Sequence, residues 1–250
     1  MKLWVILLGK LSRLRMGRRE DVSPKEDLLR KEIVETGRIL GKLGLISFLG
    51  SYALGNISAR LPRSSRILVT PSGLAKNTLR EREICVIGLN GKVLEGRLKP
   101  TSETPTHLEI YRRRRNVNAI IHTHPVYATA FAIARRKIPL VTIEMAGLVG
   151  SDVPVTRFVI PGTRELGKEV VMVLRDRVGV LLANHGLVTV GSDLNEALNT
   201  TIAIEENAKL TYLAATFAEP KLIPRIQATR IRRYIETEYG QRSKLRPRLK

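Results

Sequence analysis

Residues 116–125 read Asn116-Val117-Asn118-Ala119-Ile120-Ile121-His122-Thr123-His124-Pro125, a short apolar run that ends in two histidines and is closed by a proline. Ala119 to His124 has the length and the β-branched content of a buried strand, and residues two apart on a strand project from the same face. His122 and His124 are therefore expected side by side at a strand end. Neutral imidazoles suit a zinc-type cation, and a catalytic site takes three protein ligands while leaving the remaining position to substrate. The chain holds four histidines, and a third, His185, stands in Asn184-His185-Gly186 just beyond the hydrophobic run Val178–Leu182. Two neighbouring strand ends can thus converge on one ion. A histidine pair at a strand end is often no more than a satisfied core or surface pair, and it is the third imidazole in a matching context that favours the metal. His107 falls on a helix and reads as a packing or supporting histidine rather than a ligand.

Working outward, Leu28, Ile33, Val34, Leu40 and Leu43 recur at helical spacing after Ser23-Pro24, which predicts a helix over roughly 24–43 ended by Gly44. The segment from Gly50 to Arg60 is rich in Gly, Ser and Asn. Arg66 to Thr70 reads as a strand stopped by Pro71-Ser72-Gly73, and Asn90-Gly91 predicts a hairpin between Glu83–Leu89 and Lys92–Glu95. Pro105 at a first helical position starts a helix running to about Arg115, Thr163 caps another to about Arg175, and Asp193 to Phe217 reads as a long helix. Hairpins mixed with helices predict an α/β domain with a mixed or largely antiparallel sheet, not a doubly wound parallel one.

The formal net charge is +20, which raises the question of a polyanionic partner. Residues 1–19 carry six basic groups and no acid, and residues 221–250 carry ten basic against two acidic, so the tails hold +14 of the total. What remains suits a small anion such as a phosphate ester, and arginine-rich faces and tails are usually solvated rather than specific for nucleic acid. The run Leu3 to Leu8 is too short to cross a bilayer, for which ~20 residues are needed. It also makes a poor signal peptide. Met16 is a candidate start, since periodic sequence begins after it. The single cysteine, Cys85, leaves no internal disulfide framework and no thiolate metal cage, and a reducing cytoplasm fits. Glutamine occurs twice, at Gln227 and Gln241, beside abundant arginine, a balance consistent with a thermophilic source.

Glu103 sits immediately before the helix start. Such a residue is most often a solvated charge that favours the helix dipole. Beside a cation it becomes a candidate proton carrier for a substrate whose oxygen the metal polarises. Three turns, Gly55-Asn56-Ile57-Ser58, Thr70-Pro71-Ser72-Gly73 and Thr101-Ser102, offer backbone N–H groups and small polar side chains of the kind that cradle phosphate.

In order along the chain, Gly55-Asn56, Thr70-Pro71-Ser72-Gly73, Ser102-Glu103, His122-Thr123-His124, Pro161-Gly162-Thr163-Arg164-Glu165-Leu166 and Asn184-His185-Gly186 resemble the class II aldolase/adducin family, most closely its L-fuculose-phosphate aldolase group. The resemblance spans roughly residues 25–218. It implies a three-layer α/β/α fold, a zinc ion on His122, His124 and His185, and Glu103 as the group that moves the substrate's proton. A phosphate pocket from Asn56, Ser72, Gly73, Thr101 and Ser102 is implied as well. It further implies a homotetramer in which a C-terminal tyrosine, Tyr239 or else Tyr234, reaches a neighbouring subunit's site. The domains then read as a basic tail over 1–19, a catalytic domain over 20–218 and a basic extension over 219–250 that serves a neighbour. The expected reaction is cleavage or formation of a ketose 1-phosphate, with dihydroxyacetone phosphate and an aldehyde as the other side.

One departure stands out: this chain has Ile143-Glu144 where the fuculose-phosphate enzyme carries a second active-site tyrosine, which bears on the aldehyde. Two related chemistries share the scaffold. A pentulose-phosphate 4-epimerase resembles a pattern with Asp in place of Glu103, whereas a methylthioribulose-phosphate dehydratase keeps the Glu. A non-catalytic, adducin-like binding protein is the remaining alternative, and the intact His122, His124, His185 and Glu103 argue against it.

Overall fold

The computed structural model describes residues 24–46, 48–49, 52–61 and 64–239; the basic N-terminal tail, Met16 and the end of the C-terminal extension lie outside them. Helix α1 (Pro24–Lys42) carries the apolar stripe read from the sequence, with Ile33, Val34 and Leu40 buried. Strands β1 (Phe48–Leu49) and β2 (Tyr52–Ala53) form a two-stranded ribbon. The main sheet then takes β3 (Asn56–Arg60), β4 (Arg66–Val69), β5 (Cys85–Gly88), β6 (Val93–Glu95), β7 (Ala119–Thr123), β8 (Gly179–Leu182) and β9 (Gly186–Gly191), in the spatial order β6-β5-β4-β3-β7-β9-β8.

Every strand pairing in this sheet is antiparallel, and the parallel component allowed for in the sequence reading shrinks to one isolated bridge, Val155 to Leu181. Helices α2 (Thr104–Arg113) and α5 (Arg164–Leu174) cover one face, over Ile67, Val69, Ile87, Ile120, Val180 and Val188. Helix α1 and the first half of α6 (Leu194–Ala215) cover the other, over Ile57, Ala59, Leu68, Val86 and Ile121. The alternation of buried residues along each strand thus feeds two cores, as a sheet covered on both faces requires. A third cluster ties α3 (Val126–Ile133), α4 (Ile143–Leu148) and α7 (Arg225–Thr237) to the far half of α6 around Leu181, Ile204 and Ala228. The three-layer α/β/α arrangement is the one expected.

Two local readings are corrected. Asn56 to Ser58, taken as a turn, belongs to the central strand β3; its polar residues are tolerated inside because the Ser58 hydroxyl meets His107 Nδ1 at 2.7 Å and the Tyr111 hydroxyl at 2.9 Å. β8 is not beside β7 either. β9 lies between them, and His185 arrives on the hairpin turn that joins β8 to β9.

Candidate metal centre

His122 is the fourth residue of β7 and points to the α2 and α5 side, in register with Asn56 on β3 and Val188 on β9. His124 follows just beyond the strand end, and Pro125 breaks the ladder. The β8–β9 turn is short: His185 N–H donates to the Leu182 carbonyl at 3.0 Å, and Asn184 takes φ 56°, a left-handed conformation that asparagine tolerates. Gly186 explains the last letter of Asn184-His185-Gly186. A Cβ there would collide with the Thr123 carbonyl oxygen and stand 2.9 Å from His124 Cδ2 and 3.3 Å from His122 Cε1. Only a bare backbone lets the turn press this close to the rings.

The three imidazoles converge through Nε2. His122 Nε2 lies 2.9 Å from His124 Nε2 and 3.2 Å from His185 Nε2, and a ligand nitrogen of each falls within 4.8 Å of the others. Nitrogens at ~2.0–2.1 Å from a tetrahedral zinc stand about 3.3 Å apart, so the observed spacing is that of a ligand set. His122 Nδ1–H donates to the Leu187 carbonyl at 3.0 Å, which leaves Nε2 as the atom that faces the other two rings. An all-imidazole set with one side open fits a divalent cation of the zinc type.

Glu103 closes that side. It occupies the position before α2, yet its side chain caps nothing; its Oε1 lies 3.4 Å from both His122 Nε2 and His185 Nε2. Burial pushes its pKa up, but the attraction of His122 and His185 prevails and holds the carboxyl far below the usual carboxylate range. Burial likewise opposes protonation of His122, and here the Glu103 charge wins and raises it. His124 is driven down to about 3 by burial and by the two neighbouring imidazoles. Glu103 and His122 therefore favour each other's charged forms, an ionised carboxylate and a protonated imidazole. His107 is not among the converging rings: it is buried on α2, bonded to Ser58, and lowered to about 4 by burial.

The other sequence candidates gather at the same end of the sheet. Asn56 pairs with His122 across β3 and β7, and its amide oxygen is buried with no partner among the described residues. The loops bearing Ser72-Gly73 and Thr101-Ser102 are joined by a bridge between Pro71 and Pro100, by Ser72 N–H to Lys99 O at 2.9 Å and by Thr101 N–H to Thr70 O at 3.0 Å. Gly162 packs on Ser102, where a Cβ would meet the Ser102 carbonyl oxygen at 3.0 Å. Tyr239 is not brought to this cleft. It is 63% exposed beyond α7, with its ring 6.1 Å from that of Tyr234. A residue missed from sequence is Lys76, buried beside the cleft, because a lysine in a Ser/Gly turn carries no signal that sets it apart from a solvated one.

An antiparallel sheet between two helical layers, with three imidazoles and a carboxylate at one end, is the architecture of the class II aldolases. A solved L-fuculose 1-phosphate aldolase superposes with a TM-score of 0.78 and 32% identity over 86% of this chain and 98% of that one. The family described as class II aldolase and adducin N-terminal domain matches residues 31–212, and the chain belongs to it. An L-fuculose phosphate aldolase of Methanococcus maripaludis is 39% identical over 159 residues, 64% of this chain and 84% of that protein. A 5-deoxy-D-ribulose 1-phosphate aldolase of Bacillus thuringiensis is 33% identical over 212 residues, 85% of this chain and 97% of that protein. No helix among the described residues is long and apolar enough to cross a membrane.

Proposed function

We propose that this chain is a metal-dependent aldolase that cleaves or forms a ketose 1-phosphate, with dihydroxyacetone phosphate and an aldehyde on the other side of the reaction. The observation that carries the reading is the convergence of three imidazole nitrogens within 4.8 Å, with one Glu103 oxygen 3.4 Å from two of them. The names of the two curated relatives, both aldolases of sugar phosphates, support it. His122, His124 and His185 would hold the ion, zinc by the chemistry of the donor set; when bound it supplies Lewis-acid charge toward the substrate's oxygens. Glu103, ionised and shielded from water, removes the proton from the reacting carbon of dihydroxyacetone phosphate in the direction of bond formation and returns it in cleavage. Asn56, Ser72, Gly73, Thr101 and Ser102 hold the phosphate.

In this reading residues 20–218 form the catalytic domain and 219–250 serve a neighbouring subunit of a cytoplasmic homotetramer, in whose site Tyr239 meets the aldehyde oxygen. Exposed apolar side chains, among them Phe217, Ile226, Leu222 and Phe158, give surface for such an assembly. The test couples metal analysis of the purified protein to release of dihydroxyacetone phosphate from a panel of ketose 1-phosphates. Glu103→Gln is expected to lower turnover by about 10³-fold or more with metal content unchanged, near the upper range for a lost acid–base group. Retained turnover overturns the role of Glu103, and loss of water in place of carbon-chain cleavage overturns the aldolase reading.

A further inference from the structure

Lys76 is the only buried lysine among the described residues, 2% exposed. It begins the short 3-10 turn Lys76–Thr78, three residues after Gly73, and its backbone is wedged against α1, where a Cβ on Gly37 would meet the Lys76 carbonyl carbon at 3.0 Å. Its ammonium donates to the Leu74 carbonyl at 2.7 Å and forms no ion pair with a carboxylate, so two of its three N–H groups find no acceptor among the described residues. Burial lowers it to about 8, and its charge is felt at His122, which places it within electrostatic reach of the centre.

A desolvated ammonium served by one carbonyl is costly, and such a group is compensated when an anion completes its shell. The proposed phosphate cradle has the opposite deficiency. Asn56, Ser72, Gly73, Thr101 and Ser102 are all uncharged, and hydroxyl and amide donors alone leave a dianion without a counter-charge in a partly dry cleft.

We propose that Lys76 is the charge-complementing residue of the phosphate pocket, its unused N–H donors directed to a phosphate monoester seated over the Ser72-Gly73 turn. The inference rests on the ketose 1-phosphate reading and deepens it: the chain selects phosphorylated over unphosphorylated ketoses through an ammonium held by the Leu74 carbonyl, on a backbone packed against α1.

Titration of inorganic phosphate into the zinc-loaded protein by calorimetry needs no turnover. Wild type is expected to bind, and Lys76→Met, which keeps the stem and removes the charge, to bind about 10- to 100-fold more weakly, the span of a lost charge-assisted hydrogen bond. In turnover the same variant is expected to raise KM for a ketose 1-phosphate by a similar factor, with kcat within about threefold. A role confined to folding moves neither quantity once the variant is folded. Should the variant fail to fold, acetylation of wild-type Lys76 mapped by mass spectrometry is expected to slow at least severalfold in saturating phosphate. Wild type that binds no phosphate, equal phosphate affinity in the variant, or acetylation indifferent to phosphate each overturns the proposal. Phosphate binding that depends on Lys76 in a protein that releases no dihydroxyacetone phosphate upholds the pocket and sinks the aldolase reading alone.

Discussion

Gly186 is where a single carbon atom decides the centre. An added Cβ would overlap the Thr123 carbonyl and press on His124 Cδ2 at 2.9 Å, so the β8–β9 turn must lift away from the rings it carries. Gly186→Ala is expected to leave the protein folded and weaken metal binding by about tenfold or more, as misplaced or unsupported ligands do; wild-type affinity on titration with a chelator in competition contradicts this. Protons would compete with a metal at the same place. His122 holds its proton to higher pH than a free imidazole, because the Glu103 charge outweighs burial, whereas His124 is already neutral well below neutrality. A metal must displace the His122 proton, so apparent affinity is expected to fall by about tenfold for each unit of pH below the His122 pKa, with proton release on binding. Affinity flat between pH 8 and pH 5 would show that His122 does not ligate. The histidines were legible in sequence because a spacing of two on a strand fixes a common face. Lys76 was not, since what buries it is a helix some forty residues earlier in the chain.

At the scale of the element, α3 shows how the site depends on a distant helix. It starts two residues after His124, and its N-cap is Pro125, which has no side-chain acceptor to offer. Glu205 of α6 supplies one instead, accepting from Tyr127 N–H at 2.9 Å and Ala128 N–H at 2.8 Å. Burial raises its pKa, and the two amides pull the other way. Glu205→Ala is expected to cost about 2–3 kcal/mol, since two N–H groups of the first turn lose their acceptor. Thermal melting is expected to drop by roughly 5–10 °C for a chain of this size, with metal affinity reduced through the displaced His124; an unchanged melting temperature discards the cap. Neither α3 nor this cap was read from sequence. Val126 to Ile133 is apolar almost throughout and has no helical stripe, and its capping residue lies 77 positions from Ala128. β3 was missed for another reason: Asn56, Ser58 and Arg60 occupy one face of a buried strand, and that pattern is stable only because α2 provides His107 and Tyr111 to bond Ser58. The hairpin at Asn90-Gly91 and the helices at Pro24, Pro105, Thr163 and Asp193 were legible because their start and stop signals are local.

For the whole molecule, the proposed assembly predicts that two copies share each site. Glu103 and the three histidines belong to one chain, while Tyr239 lies exposed past the end of α7, against Tyr234. In the proposed cyclic tetramer each site takes Glu103 from one subunit and Tyr239 from the next, and this division can be read without a structure of the assembly. Glu103→Gln subunits lack the proton carrier of their own site and still offer an intact Tyr239 to a neighbour. Tyr239→Phe subunits have the reverse defect. Either variant alone is expected to retain little activity. Unfolded, mixed in equal amounts and refolded together, they assemble at random, and a site is complete when its own chain contributes Glu103 and the adjacent chain Tyr239. That combination arises in about a quarter of the sites, so the mixture is expected to recover about 25% of wild-type turnover. Random co-assembly is verified by native mass spectrometry with one variant isotopically labelled. Hybrid tetramers with no recovered activity would assign Tyr239 to its own chain's site, whereas full activity of Tyr239→Phe by itself would assign it to none. The quarter itself separates these cases: a tyrosine acting within its own chain leaves every subunit with one broken group, and no arrangement of subunits repairs it.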